Sequence, residues 1–223
     1  MNKTTIAESL PELWAALGET AWMVLLSFLI TVVLGTVTGV LLRLTAPDGL
    51  RPNRAFNQIF GGLVNIFRSL PFLILLIAVI PVTRLVVGTA YGPTAAVVPL
   101  AIGAIPFFGR VVESALREVA VGKIEAAQVM GASTWQIVRK VLLPEAMAPL
   151  VSGATLTLVM LIGYSAMAGT IGGGGVGDFA IKYGYQRFNT PVLLVSVVVL
   201  IIIVQLIQSI GDAIVRGMAH KRS

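Results

Sequence analysis

The sequence contains no cysteine and a single histidine, His220, among its 223 residues. The absence of cysteine excludes disulfides, thiolate metal sites and cysteine nucleophiles. One histidine is too few for a histidine zinc site, and no cluster of carboxylates offers another centre for metal or nucleophilic chemistry. We therefore expect this chain to have no enzymatic activity and to bind no metal or cofactor itself.

Charged residues are also scarce, at 12% of the chain, whereas a typical soluble domain has about 25%. Apolar residues make up 57%, and their abundance excludes a disordered chain. The glycines show no collagen period, and no repeat of 20–50 residues is present. This composition predicts a protein that crosses a membrane several times.

Five apolar runs are long enough to cross a bilayer core, which needs about 20 helical residues. The second run is interrupted by Arg68 and Pro71, but proline is tolerated where neighbouring helices satisfy the freed backbone groups. Thr190 before Pro191 is typical of a helix N-cap followed by proline at the first helical position. The predicted fold is all-α with five transmembrane helices, at about residues 21–42, 59–80, 94–112, 150–168 and 191–210.

The basic residues of the loops predict the orientation, since they concentrate on the cytoplasmic side. An N-terminal segment 1–20 outside the cell places the loop 113–148 and the tail 211–223 inside. This asymmetry also explains the formal charge of +6, so no nucleic-acid partner is expected. The inner basic residues are then Arg43, Arg51, Arg54, Arg117, Lys123, Arg139, Lys140, Arg216, Lys221 and Arg222, and the outer ones are Lys3, Arg84, Lys182 and Arg187.

Small and charged residues inside the runs predict contacts between helices. Gly35 and Gly39 form a small-xxx-small pattern that favours packing within the chain, with a dimer contact as the alternative. Arg110 is expected to pair with Glu113 one turn later, because an unpaired charge in hydrocarbon is costly. Arg68 and Arg110 are both expected to anchor at the membrane surface, with contact of Arg68 to a substrate carboxylate as the alternative.

The inner loop 113–148 predicts two short helices joined by a tight turn. Residues 123–130 favour a helix, and Gly131 is placed to end it in a left-handed conformation. Ser133 and Gln136 have the spacing of a capping box that starts a second helix, which Pro144 separates from the fourth span.

Several residues of this loop suit it for contact with another protein. Ala126, Ala127 and Gly131 have almost no side chain, so a partner's backbone can approach closely. Glu125 can fix the register of docking together with Arg139 and Lys140. An ordinary amphipathic hairpin between two spans is the alternative.

The same loop resembles the EAA loop of ABC importer permeases. The shared pattern is Glu125-Ala126-Ala127-x-x-x-Gly131, then nine residues, then Val141-x-Leu143-Pro144, with valine where the family usually has isoleucine. Residues 65–72, 131–146 and 163–167 are similar in particular to permeases of methionine importers.

This resemblance implies a fold of the type I ABC importer permease and a place in the bacterial inner membrane. It implies that Glu125, Ala126, Ala127, Gly131, Val141, Leu143 and Pro144 dock as a coupling helix into a cytoplasmic ATPase. The implied partners are a second copy of the chain, two ATPase subunits that use ATP and Mg²⁺, and an extracytoplasmic methionine-binding lipoprotein. The sequence itself contains no Walker A motif.

A candidate gate lies at the outer end of the fourth span, where the large side chain of Met167 stands among small residues. Such a residue can close a narrow pore, although core filling is the alternative. Ser165, Tyr164 and Arg68 are weaker candidates for the pathway. Gly172, Gly174 and Gly177 match a dinucleotide fingerprint, but a membrane helix precedes them, so we predict an irregular, mobile segment instead.

A secondary transporter is the competing class of function. Ion-coupled carriers usually have ionisable groups near the middle of the membrane. No aspartate, glutamate or histidine interrupts the five predicted spans, which favours the ABC permease. The identity of the solute rests on the resemblance alone, and another amino acid is the alternative to methionine.

Overall fold

The computed structural model describes residues 9–220, and every regular element among them is a helix. The predicted positions of Lys3, Lys221 and Arg222 lie outside the described residues. Within them the all-α prediction is confirmed. The helices are α1 (Leu10–Thr45), α2 (Arg54–Ser69), α3 (Phe72–Ala78), α4 (Ile80–Val87), α5 (Pro93–Arg117), α6 (Val121–Val129), α7 (Thr134–Ile137), α8 (Leu143–Glu145), α9 (Met147–Gly169), α10 (Gly175–Phe179) and α11 (Thr190–His220), with π-helical turns at Val138–Leu142 and Ala180–Tyr185.

Four of these helices, α1, α5, α9 and α11, are long and apolar enough to cross a membrane. Each contains one predicted span and extends beyond it. Helix α1 continues from Leu10 to Thr45, so no helix boundary separates the predicted outer segment from the first span. Helix α11 begins at Thr190, which makes Asn189 the residue before the helix and corrects the predicted N-cap by one position.

The predicted second span, 59–80, is not one helix. Helix α2 ends at Ser69, α3 begins at Phe72, and the two are bent by 105°. Pro71 occupies the N-cap position of α3. Proline disfavours a helical conformation for the residue before it, which explains the break at Leu70. A fifth span exists only if this bent pair crosses the membrane together.

The chain divides into two compact units. Within the described residues, the first comprises the chain up to Ile30 together with Leu70–Gly103 and Leu158–Ser209. The second comprises Thr31–Ser69, Ala104–Thr157 and the chain from Ile210 onward.

In the second unit, glycines allow α1 and α5 to pack closely. A Cβ atom added at Gly39 would lie 2.5 Å from the carbonyl oxygen of Gly109, and one at Gly35 would lie 2.8 Å from the Phe108 ring. Real Cβ atoms do not approach this closely, so a side chain at either position would force its neighbour on α5 to shift. The prediction that the small-xxx-small pattern packs within the chain is confirmed.

The second unit also contains a network of charged groups around Arg110. Its guanidinium donates to Glu113 Oε2 at 2.6 Å, to the carbonyl oxygen of Gly61 at 2.8 Å and to Asn65 Oδ1 at 3.0 Å. Arg117 donates to the other Glu113 oxygen at 2.9 Å. The predicted Arg110–Glu113 pair is confirmed, and the network also connects α5 to α2.

In the first unit, the N-terminal turns of α1 contribute to a separate apolar core. Leu13 and Ala16 are buried there with Val176, Phe179 and Val192. Farther along α1, Ser27 is fully buried, and its hydroxyl donates to the carbonyl oxygen of Met23 at 2.6 Å. The beginning of α1 is therefore part of the folded core.

The Arg110 network leads to a prediction about stability. Arg110→Met removes one of the two cations that neutralise the buried Glu113 carboxylate, and we expect it to lower the free energy of unfolding by about 3 kcal/mol. Arg117→Met is the matched control, because that side chain is 58% exposed and its pair should contribute less than about 1 kcal/mol. Thermal unfolding of the detergent-solubilised protein measures both. Equal losses in the two variants would contradict the assignment.

Candidate functional site

The turn between α6 and α7 has the predicted geometry. Gly131 adopts a φ of +79°, and its N–H donates to the carbonyl oxygen of Gln128 at 2.9 Å, which ends α6. The Ser133 hydroxyl accepts from Gln136 N–H at 3.3 Å, while Gln136 Oε1 accepts from Ser133 N–H at 2.8 Å. Both hydrogen bonds of the predicted capping box are present, so the left-handed glycine and the restart of the helix are confirmed.

The inner side of this helical pair is apolar and rests on the end of α5. Ile124 and Ala127 of α6 are buried in one core with Val112 and Leu116 of α5. Ala127 was expected to present an open face to a partner. That expectation is wrong: Ala127 lies three residues after Ile124, so the helical period places it on the same buried side.

The side of this helical pair that faces away from α5 carries large apolar side chains around the turn. Val129 is 89% exposed, Met130 is 80% exposed and Trp135 is 66% exposed. A Cβ atom added at Gly131 would meet nothing within 4 Å. We call Val129, Met130, Gly131 and Trp135 the elbow surface. Sequence reasoning missed its three apolar side chains, although their positions beside the turn, opposite the buried Ile124, could have revealed them.

Charged residues flank the elbow surface. Glu125 is exposed and lines a cleft of about 300 Å³ together with Arg43 and Asp48. Lys123 pairs with Glu145 at 2.7 Å, which connects the beginning of α6 to α8. Arg139 and Lys140 are exposed, as expected of groups that could orient a partner, and Ala126 is exposed as well.

The remaining residues of the predicted motif support the loop from within. Val141 and Leu143 are half-buried and pack against the same apolar core, whereas Pro144 is exposed. Proline has no N–H to donate to the carbonyl oxygen of Lys140, four residues earlier. The helix widens just before it, and Leu143 N–H donates to the carbonyl oxygen of Val138, five residues earlier.

The candidate gate residues share one turn of α9. Met167 is 47% exposed, Ser165 is buried with its hydroxyl on the carbonyl oxygen of Ile162, and Tyr164 stacks on Phe72 with ring centroids 4.0 Å apart. Arg68 belongs to the other unit, at the last turn of α2, where it is exposed. No hydrogen bond or ion pair of Arg68 is found within residues 9–220.

The glycine-rich segment after α9 follows a helix, as predicted, and is only partly irregular. Residues 170–172 form turns and residues 173–174 are irregular, but Gly175–Phe179 is a short helix with four buried residues. The expectation of an irregular segment therefore fails from Gly175 onward. Beyond this helix, a hydrogen bond from Lys182 to Asp178 raises the pKa of Lys182.

Residues 32–222 match the family described as the binding-protein-dependent transport system inner membrane component. The chain is 54% identical to the probable D-methionine transport system permease protein MetI of Vibrio cholerae, over 94% of this chain and 93% of that protein. It is 51% identical to the methionine import system permease protein MetP of Bacillus subtilis, over 92% of each.

Solved structures agree with this relationship. A chain of the MetNI methionine ABC transporter in an inward-facing conformation is 47% identical, with a TM-score of 0.93, and the match covers 96% of this chain and 99% of that one. A chain of an amino acid ABC transporter has the same fold at 17% identity and a TM-score of 0.77, over 97% and 98% of the two chains. The predicted fold class of an ABC importer permease is confirmed, and the chain belongs to the family of binding-protein-dependent transport system inner membrane components.

Proposed function

We propose that this chain is the membrane-spanning permease subunit of an ATP-driven importer that moves methionine across the inner membrane. The observation that carries the proposal is its similarity, over nearly its whole length, to permeases named for methionine transport. The family match over residues 32–222 includes α5, α9, α11, the C-terminal part of α1 and the loop that bears the elbow surface.

The exposed apolar side chains of the elbow surface support the proposal that a protein partner binds there and drives transport. Three exposed apolar side chains surround a glycine with open space above it, which is the composition of a buried interface core. The partners that we propose are a second copy of this chain, two cytoplasmic ATPase subunits that hold ATP and Mg²⁺, and an extracytoplasmic methionine-binding lipoprotein. The permease itself is proposed to hydrolyse no nucleotide.

The orientation that we propose for the chain rests on the basic residues of its loops. With the N-terminus outside and the C-terminus inside, the elbow surface faces the cytoplasm and its ATPase. Closure of the ATPase on ATP would then shift the permease between its two states, because the ATPase docks with different free energy to each. Glu125 would fix the register of that docking.

The proposed pathway narrows at Met167. This side chain is flexible and almost half exposed, and it ends a helix turn whose other members, Tyr164 and Ser165, are held by a ring stack and a hydrogen bond. A long apolar side chain on a fixed support can block a narrow, water-filled path by excluding water.

Reconstitution tests the function directly. We expect proteoliposomes that contain this chain, its ATPase and the lipoprotein to take up radiolabelled methionine only when ATP and the lipoprotein are both supplied. D- and L-methionine are tested separately, and alanine and histidine serve as competing solutes. Uptake driven by an ion gradient without the ATPase would contradict the proposal, and uptake of a competing amino acid alone would reassign the solute.

The elbow surface leads to a prediction about assembly. Met130→Asp places a charge in the centre of the proposed interface, and we expect it to weaken binding of the ATPase about 30-fold or more. Glu125→Gln should lower ATP-dependent uptake, while Glu118→Gln, another exposed carboxylate at the end of α5, serves as the matched control. Co-purification of the ATPase and uptake rates measure the effects. Normal assembly and uptake in Met130→Asp would refute the coupling role.

The gate leads to a second prediction. Met167→Ala removes most of the blocking side chain, and Met167→Leu keeps a similar volume. We expect the alanine variant to let methionine leak through proteoliposomes without ATP, whereas the leucine variant stays closed. Efflux of preloaded methionine measures the leak. Equal leaks from both variants, or none from either, would show that Met167 fills space without gating.

A further inference from the structure

The N–H groups at the N-terminus of the short helix α10 donate hydrogen bonds to side chains of another helix, α1. Its N-cap residue, Gly174, has no side chain that could accept from the first free N–H groups. Gly175 N–H donates instead to Glu19 Oε2 at 2.7 Å, and Val176 N–H donates to Thr20 Oγ1 at 2.9 Å. Two consecutive side chains of α1 therefore cap a helix that follows them by more than 150 residues in the chain.

The glycines of this segment are necessary for that contact. Gly174 and Gly175 both adopt a φ of +79°, which side chains disfavour. A Cβ atom at Gly174 would lie 2.6 Å from Glu19 Oε2, and one at Gly175 would lie 2.6 Å from Thr20 Oγ1. The two acceptors can reach the backbone only because no side chain is present.

The same glycine segment is in close contact with the end of α9 that carries the proposed gate residue, Met167. A Cβ atom at Gly177 would collide with the carbonyl oxygen of Ala166, and one at Gly173 would lie 2.7 Å from that of Ala168. Gly173 N–H also donates to the Ala168 carbonyl oxygen at 2.9 Å. The residues on either side of Met167 are thus both in contact with the glycine segment.

Burial fixes these contacts in place. Val176 is fully buried, Thr20 is 5% exposed, and Leu13 and Ala16 of α1 enclose Val176 in one apolar core. These turns of α1 precede residue 32, where the match to the family begins. The N-terminal turns of α1 therefore pack against the segment beside the proposed gate and do more than anchor the chain in the membrane.

We infer that Glu19 and Thr20 are positioning residues of the gate: they hold Gly175 and Val176 so that the glycine segment keeps the Met167 end of α9 closed. This inference rests on the gating role proposed for Met167. When either acceptor is removed, the glycine segment loses a hydrogen bond. Water can replace that bond only if the segment moves, and such a movement loosens the contacts that the segment makes with Ala166 and Ala168.

The absence of cysteine from the chain makes the test simple. Met167→Cys gives one reactive thiol in each copy of the chain, and its rate of modification by a water-soluble maleimide is measured in the complete transporter complex in nanodiscs, with partner subunits whose own cysteines have been replaced. This background is combined with Thr20→Val, which keeps the shape and removes the acceptor, or with Thr20→Ser, which keeps the acceptor. Glu19→Leu and Glu19→Gln form the corresponding pair.

We expect Thr20→Val and Glu19→Leu each to raise the rate of modification about fivefold, the effect of losing one helix cap, and Thr20→Ser and Glu19→Gln to stay near the background. Thermal unfolding of each complex shows whether the fold is kept, and Thr20→Val alone suffices if Glu19→Leu does not assemble. Equal rates within both pairs in folded complexes would overturn the inference. Failure of the unmodified complex to import methionine would instead overturn the proposed function, because the modification rates do not depend on the solute.

Discussion

The apolar contact between the end of α5 and the inner side of α6 and α7 is the interaction on which the elbow surface depends. Ile124 and Ala127 are fixed against Val112 and Leu116, so the exposed turn above them cannot shift without moving α5. Close-packed side chains transmit displacement because they have little free volume in which to absorb it. A loop without this support would bend under a partner instead of moving the helices behind it.

The same requirement for firm support explains how α2 is held to α5. The Arg110 guanidinium joins the two helices through Gly61 and Asn65, and the Glu113 carboxylate neutralises it. In a medium of low polarity such a network is stable only when nearly all of its members are paired. One member, the buried Nε atom of Arg110, has no partner within the described residues. The two terminal nitrogens of the Arg110 guanidinium are both hydrogen-bonded, and their bonds to Gly61 and Asn65 join α5 to α2.

Features whose partners lie within one helical turn were predictable from the sequence. The left-handed Gly131, the Ser133 capping box and the Arg110–Glu113 pair all depend on spacings of three or four residues, and all three are present. The four long helices were predictable for a similar reason, since their apolar length is a property of each segment alone.

Features that depend on residues far apart in the sequence were not predictable. No local pattern shows that Asn65 meets Arg110, or that Glu19 meets Gly175. The same limit applies to Pro71: its interruption of the second run was visible, but the size of the bend depends on how the following residues pack. The burial of Ala127 is an intermediate case. The helical period shows that Ala127 and Ile124 share one side of α6, but only the position of α5 shows that this side is buried.

The elbow surface combines two properties that together indicate what covers it. Val129 and Met130 are too exposed and too apolar to face water without cost, as exposed apolar clusters usually mark a binding surface. Deep insertion of this turn into the hydrocarbon is disfavoured, because Lys123 and Lys140 flank it and charged groups are costly there. A protein with an apolar recess and a polar rim satisfies both groups of residues at once, since the rim of an interface accepts charge while its core accepts the apolar side chains. The elbow surface therefore has the apolar core and charged rim of a protein interface, as the ATPase partner proposed above requires.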